Sequence, residues 1–461
     1  MLRLTMARSI LRRMQMAAGT PAGVVMKRKR LWFIGVFLPA FLGVVYAIQF
    51  AGPGDISFTG RLKGADYVYF HNGGRRLAEG DVYSLSHFQY HLTSDYDTRF
   101  GQRDFRPIHP PTVFYLYVPL SLLPYLTSLA VATLLSYLIF LSAIGLLLWT
   151  HPELKRSWPF IVFVSVCFPS VAATLLTGHP AALLILLLAG GYHLRKKNLP
   201  LAAGFVLSLL SLKPNYYFLI GAVLVLAAEF EVAAGMLVGA VSTVIATGIW
   251  DDFRLWTAWA PMAVTYQDFV QSGLGLTRQH TTRTFFQLFH PDGEIGKYLS
   301  AAGLVIGALS LGLPAIYKSR AKQAFDPDIF WAMVPVAATL ANPHMYDYDL
   351  CILLLPMIII MGKGIRMGLS ETQILMALVI AVGLPRVASA ASPYTHFQLS
   401  VPLLWWLMLK LTWRIPPSGD AIRSLCGRLP ASLPGIGRML YGAERVRNAS
   451  AADSRAEAPR A

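Results

Sequence analysis

The chain has 461 residues, 55% hydrophobic and only 14% charged, with a mean hydropathy of +0.50. Soluble domains carry about 25% charged residues, so this composition excludes an ordinary soluble domain and points to a helical membrane protein whose backbone polar groups pair within helices. The net charge of +16 is distributed over short loops and tails beside apolar runs, which reads as membrane topology and contact with anionic lipid rather than nucleic-acid binding.

Residues 1–30 form a basic N-terminal segment containing Arg3, Arg8, Arg12, Arg13 and the cationic run 27–30. It reads either as an amphipathic surface segment or as an over-long start ahead of Met26. No cleavable signal peptide follows, because the apolar stretch ends in Gly52-Pro53-Gly54-Asp55 rather than a small-residue cleavage site. The apolar runs then predict an all-α polytopic bundle of about twelve transmembrane helices. Their expected positions are 31–51, 126–149, 159–176, 181–194, 199–212, 216–228, 232–250, 300–317, 328–341, 350–362, 372–390 and 398–413. Two long polar stretches, 52–110 and 251–299, are expected as outer loops. The apolar but short and proline-bounded segment 112–123 is expected to be re-entrant or interfacial. This alternation puts the basic clusters 27–30, 155–156, 195–197, 318–322 and 363–366 on one side, the cytoplasm, together with both termini. Glu229 and Glu231 interrupt that pattern. Residues 31–413 therefore read as a transmembrane catalytic domain, and 414–461, rich in Arg, Ala, Ser and Pro, as a basic, partly disordered cytoplasmic tail. Three cysteines, Cys167, Cys351 and Cys426, form no disulfide framework and read as free thiols.

In this topology nine of the eleven histidines face outward, and only His151 and His193 face the cytoplasm. The working face is thus the outer one. No Gly-rich phosphate loop is present and no nucleotide cofactor is expected. Asp66 opens an expected helix over 66–79, closed by Gly80, with Tyr67, Phe70, Gly74 and Leu77 along one stripe. Aspartate is a preferred N-cap, so Asp66 reads as a cap or as a general base. Tyr69 lies on the same helix. His109 precedes Pro110-Pro111, where the prolines alone explain a chain reversal. His179 sits at an outer tip, either capping a turn or touching a headgroup. Lys213 interrupts an apolar run before Pro214 and either snorkels to the surface or meets a lipid phosphate. Arg278, His280 and Arg283 form a cationic group in the second loop, suited to clamping phosphate or to plain solvation. His344 follows Asn342-Pro343, with Tyr346, Asp347 and Asp349 close behind. His344, Asp347 and Asp349 are metal-ligand types, but no HExxH or acidic repeat accompanies them, and no metal is expected.

These motifs occur in an order that resembles glycosyltransferase family 87, the polyprenyl-phosphate-mannose-dependent mannosyltransferases of the GT-C superfamily. The resemblance runs through Ala65-Asp66-Tyr67, Gly80-Asp81-Val82-Tyr83, His109-Pro110-Pro111 with Pro119-Leu120, Thr177-Gly178-His179, Ala203-Gly204 with Lys213-Pro214, and Pro343-His344-Met345-Tyr346-Asp347-Tyr348-Asp349. It spans about residues 30–410. It implies a GT-C-type bundle in a bacterial inner membrane, with a periplasmic site. Asp66 is implied as the base and His344 as a residue holding the donor phosphate. The implied partners are a polyprenyl-phosphate sugar donor, a lipid or glycan acceptor and membrane lipids. This chain has His109 where many relatives have Tyr, and His179 where Gln is common. A lone catalytic base suits such chemistry, since a phosphate leaving group needs charge stabilisation more than a proton. Lys213, His344, Arg278 and Arg283 are the candidates for that stabilisation. Tyr69, His109, His179, Tyr346 and Asp347 are further substrate-binding candidates. The competing readings are a lipid or glycolipid transporter or flippase, which should show internal repeats and charges near the midplane, and a non-catalytic assembly factor.

Overall fold

Prolines divide this chain into helices. In the computed structural model, which describes residues 33–54, 56–57, 62–94, 96, 106–271, 275–291, 293–366 and 387–413, five helices start on a proline. Its ring fixes φ near the helical value and lacks the N–H that a first turn leaves unpaired. The basic segment 1–30, the tail 414–461 and most of the expected helix 372–390 lie outside the described residues.

In chain order the α-helices are α1 (Leu38–Phe50), α2 (Tyr67–Glu79), α3 (Leu85–Ser94), α4 (Pro111–Ser121), α5 (Tyr125–Thr150) and α6 (Trp158–Val166). There follow α7 (Pro169–Thr177), α8 (Ala181–Lys196), α9 (Pro200–Ser208), α10 (Pro214–Leu226), α11 (Phe230–Gly248) and α12 (Arg254–Gln271). The last are α13 (Thr282–Gln287), α14 (Gly293–Leu309), α15 (Leu313–Ala321), α16 (Pro327–Ala341), α17 (Leu354–Arg366) and α18 (Ser400–Trp413). Among the described residues the only β pairing is two isolated bridges, Ile56 with Leu62 and Gln279 with Tyr346. The two expected long loops contain helices, the first carrying α2 and α3 and the second α12 and α13.

The bundle of about twelve spans expected from hydropathy is overturned. Among the described residues, three helical stretches are long and apolar enough to cross a membrane: Tyr125–Thr150, Phe230–Asp251 and Gly293–Ala324. A fourth exists if α6 and α7, bent by 54° at their junction, count as one broken span. The expected straight span 159–176 runs across that break, which falls just before Pro169. The remaining apolar helices are short, and the burial of α16 shows why apolarity misled: every residue from Asp328 to Ala341 is buried. A helix apolar on all sides lies either in lipid or in the core of a large protein, and α16 lies in the core.

Two polar layers cap this core. Tyr192 and Lys196 near the end of α8 meet Asp328 at the start of α16, at 2.8 and 3.2 Å. Lys363 of α17 reaches Asp328 at 3.0 Å, and His151 Nε2 reaches the Tyr192 hydroxyl at 2.9 Å. In the same region Glu229 pairs with Arg195 at 3.1 Å and Lys318 at 2.6 Å, so the acid that interrupted the basic pattern neutralises two of its members. At the opposite ends of α8 and α16 stand His179 and Asn342. With a rise of 1.5 Å per residue, the two layers are roughly 20 Å apart.

The α2–α4 pair forms a smaller apolar cluster. An added Cβ at Gly73 would sit 2.2 Å from the Phe114 ring, and one at Gly74 2.8 Å from the Tyr117 backbone, so the two helices touch closely. The boundaries of α2 match the sequence expectation, with Gly80 at its C-cap in the left-handed region at φ 81°.

Ala338→Leu in the fully buried face of α16 should cost about 1–3 kcal/mol through overpacking, read as a lower thermal midpoint in detergent. Leu237→Ala, at a position 61% exposed on α11, should barely move that midpoint. Equal effects would contradict the core placement of α16.

Candidate functional site

The site is organised by the segment 342–349. Helix α16 ends at Asn342, whose backbone is extended (ψ 134°), and Pro343 prevents the helix from continuing. The Asn342 side-chain oxygen accepts from the His344 backbone N–H at 3.1 Å and from the Asn215 amide at 3.0 Å. From the other side, residues 277–284 hold the same segment. His280 N–H donates to the Met345 carbonyl at 2.9 Å, and Arg283 donates to the Pro343 carbonyl at 3.0 Å. The Arg283 guanidinium also donates to Ser300 at 2.7 Å and Gln287 at 3.3 Å. Buried and engaged in this way, Arg283 acts as a strut for the segment.

Two carboxylates on the segment each hold a cation from a different element. Asp349 pairs with Lys213, which precedes α10, at 2.5 Å, with only 2% and 11% of the two side chains exposed. Asp347 accepts from His280 Nε2 at 2.7 Å, Ser389 at 2.7 Å and Arg278 Nε at 3.3 Å. His280 Nδ1 is in turn 2.7 Å from the Ser400 hydroxyl. Burial alone would raise the Asp347 pKa, but the His280 hydrogen bond and nearby positive charge bring it below its ordinary value. For Asp349 burial prevails over Lys213, and its pKa is raised. Arg278, half exposed, is held through Nε. Among the described residues no group of three or more His, Cys, Asp or Glu side chains has a metal-holding arrangement.

Between the carboxylates, Tyr348 stacks on His179 with ring centroids 4.1 Å apart, and the Lys213 ammonium lies 5.4 Å from the Tyr348 ring and 5.6 Å from that of Tyr216. His179 also touches Phe70 of α2 edge-on at 5.6 Å. His109 lies against the same helix, with Nδ1 3.1 Å from the Tyr69 hydroxyl and its ring 5.2 Å from Phe70. The α2 face and the 342–349 segment thus meet across His179.

Asp66 occupies the N-cap position of α2, yet its side chain makes no capping hydrogen bond. Its backbone N–H donates to the Thr177 carbonyl at 3.2 Å. That approach depends on Gly178, at φ 69°, where an added Cβ would lie 2.6 Å from Tyr67 Cβ. The carboxylate is near enough to Tyr346 that, after burial, its charge helps raise the phenol pKa. Tyr346 is itself 6.5 Å from the His344 ring and 5.8 Å from the Tyr348 ring.

The imidazoles are neutral. Burial, assisted by the Lys213 charge, lowers the pKa of His109 to about 3 and that of His344 to about 3, and holds His179 well below the ordinary value. These rings therefore act as hydrogen-bonding groups, while the positive charge resides on Lys213, Arg278 and Arg283. A carboxylate, an anchored ammonium and neutral imidazoles around one aromatic pair make an arrangement able to hold an anion beside a base. The sequence singles out Asp66, Tyr69, His109, His179, Lys213, Arg278, Arg283, His344, Tyr346 and Asp347, and the fold brings them into one connected cluster. The sequence reads Asp349 only as a metal-ligand type and gives Tyr348 no role, although both belong to the 343–349 motif. Ser389 and Ser400 carry no sequence signal.

The family model described as Glycosyltransferase family 87 matches residues 108–343, just over half of the chain. The match takes in His109, His179, Lys213, Arg278 and Arg283, and it excludes Asp66 and the residues after Pro343. No curated protein and no solved structure matches the chain.

The neutral histidines make stability acid-sensitive. Below the ordinary histidine pKa of 6.5 the unfolded chain takes up protons that His109 and His344, near 3 when folded, refuse. Stability contributed by these sites is complete above pH 6.5 and falls as the pH drops towards 3. The thermal midpoint in detergent should decline from pH 7.5 to pH 5, and His109→Gln should decline less steeply. A midpoint independent of pH over that interval would contradict the neutral assignment.

Proposed function

Because this chain belongs to glycosyltransferase family 87, we propose that it transfers a hexose, mannose in our reading, from a polyprenyl-phosphate donor to a lipid or glycan acceptor. The observation that carries the proposal is the placement of Lys213 beside Tyr348, whose ring lies 5.8 Å from that of Tyr346, a phenol that feels the charge of Asp66. In this reading Asp66 takes the proton of the acceptor hydroxyl as its oxygen attacks the anomeric carbon. The bond from that carbon to the phosphate oxygen breaks with inversion, and its electron pair leaves on the phosphate. Lys213, with Arg278 at the rim, stabilises the growing negative charge. His344, neutral, hydrogen-bonds the phosphate, and His109, His179, Tyr69, Tyr346 and Asp347 line or brace the site. No cofactor enters the scheme.

The reading also places the reaction at the periplasmic surface of a bacterial inner membrane, with both termini in the cytoplasm. Charge asymmetry supports it: Arg195, Lys196, Lys197, Lys318, Arg320, Lys322 and Lys363 lie at the helix ends away from the site. Aromatic residues support it as well. Trp250, at the site end of the span through α11, is 86% exposed, as an interfacial tryptophan would be. A polyprenyl-linked sugar has its reacting carbon at that level.

Purified protein incubated with radiolabelled polyprenyl-phosphate mannose and a membrane-lipid extract should yield a labelled glycolipid, and absence of label in any product would overturn the donor assignment. Asp66→Asn should lower turnover at least about a hundredfold while donor binding persists; full activity would remove the base. Lys213→Ala and His344→Ala should each raise the donor KM, and an unchanged KM in both would take them out of the phosphate site.

A further inference from the structure

We infer that Asp349 is a positioning residue, the built-in counter-ion that aims the Lys213 ammonium at the site and yields part of it to an incoming phosphate. The inference rests on the glycosyl-transfer reading above for its substrate but on separate geometry for its substance. Lys213 stands at the junction between the short 3-10 turn Leu209–Leu212 and α10, with an extended-side backbone at φ −124° and ψ 89°. It therefore projects from a helix break rather than from a helix face. Its ammonium touches Asp349 at 2.5 Å and flanks the rings of Tyr216 and Tyr348. The titratable groups facing it are His109, His179, His344, Tyr216, Tyr348, Asp349 and Cys351, contributed by separate parts of the chain. Asp349 is the carboxylate among them that touches it directly.

An ammonium has three N–H donors, and one carboxylate oxygen is within reach of one of them. The remaining donors suit a second anion beside the imidazoles, which are neutral and so do not repel Lys213. Asp349 is anchored on its own side, since its backbone N–H donates to the Tyr346 carbonyl at 3.0 Å and it begins the turn Asp349–Leu353 packed on α8. The pair thus fixes direction: a rigid acid behind the lysine leaves its charge pointing away from the core. A carboxylate so close also repels the phosphate. Removing its charge should therefore tighten ground-state binding of the anion and loosen the aim of the ammonium at the leaving oxygen.

The experiment has a binding arm with polyprenyl monophosphate, the leaving group, and a turnover arm with the labelled donor. Asp349→Asn should bind polyprenyl monophosphate about a hundredfold more tightly, the scale of one charge pair about 6 Å apart at an effective dielectric of about 20. Its kcat should fall about tenfold with no rise in KM, because the aimed ammonium acts chiefly on the transition state. The fall in kcat should vanish in a Lys213→Met background, as a double-mutant cycle requires of a residue acting through the lysine. Asp349→Glu, which keeps the charge, should bind as the wild type does. If Asp349→Asn does not fold, the apolar pair Lys213→Met with Asp349→Leu carries the test, because well-packed apolar replacements of buried ion pairs are tolerated; it should bind no monophosphate. Weaker binding in Asp349→Asn, a fall in kcat persisting without Lys213, or intact binding in the apolar pair would each overturn the inference. Wild-type protein that binds monophosphate with the expected variant pattern but transfers no sugar would sink the donor assignment and leave this inference standing.

Discussion

Lys213 and Asp349, buried together 2.5 Å apart, form the ion pair around which the site is built. Removing two charges from water costs several kcal/mol per ion, and the pair returns that only with close geometry and further partners. Those partners are present: two aromatic rings beside the ammonium and a backbone hydrogen bond behind the acid. The pair joins a helix break at 213 to the segment after α16, and Asn215 with Asn342 repeats the link a few residues away. Its charge reaches His109, His179 and His344, and adds to the burial that keeps these three imidazoles neutral.

The core explains why this polar cluster has a fixed place. Helices α8 and α16 run between two polar layers, and each layer satisfies the polar groups at one end of both helices. In the layer around Asp328, Tyr192, Lys196 and Lys363 converge on one carboxylate. The layer around Asp349 joins α2 through the His179 ring, which touches Phe70 and stacks on Tyr348. The two ends of the same helices thus carry different chemistry, an ion-pair network at one and the acid, ammonium and imidazole cluster at the other.

Much of the local chemistry is legible without the fold. The glycine stop of α2 at Gly80 follows from residue type, because left-handed backbone is a property of a single position, whereas Asp66 marks the helix start without capping it through its side chain. The start of α4 at Pro111 follows in the same way. The clustering of His344, Tyr346, Asp347 and Asp349 needs only their closeness in the chain. Arg283 is not legible as a strut, since its partners Ser300, Gln287 and Pro343 are fixed by how α13 packs on α14. Nor are Ser389 and Ser400, which reach His280 and Asp347 from parts of the chain far away in sequence.

By itself the sequence determined that the chain is helical and apolar, where its prolines and glycines interrupt it, and which short motifs carry acids, bases and cations. Those are local properties, set by side-chain chemistry and backbone sterics. Only the tertiary structure decided how many apolar helices face lipid and how many face protein. Hydropathy records aversion to water and is blind to what replaces the water, so the core helix α16 and a membrane span look alike in a string of letters. The tertiary structure likewise decided that Asp349 holds Lys213 and that Asp347 holds Arg278 and His280, because charge pairing acts through space and the partners are dozens of residues or more apart along the chain.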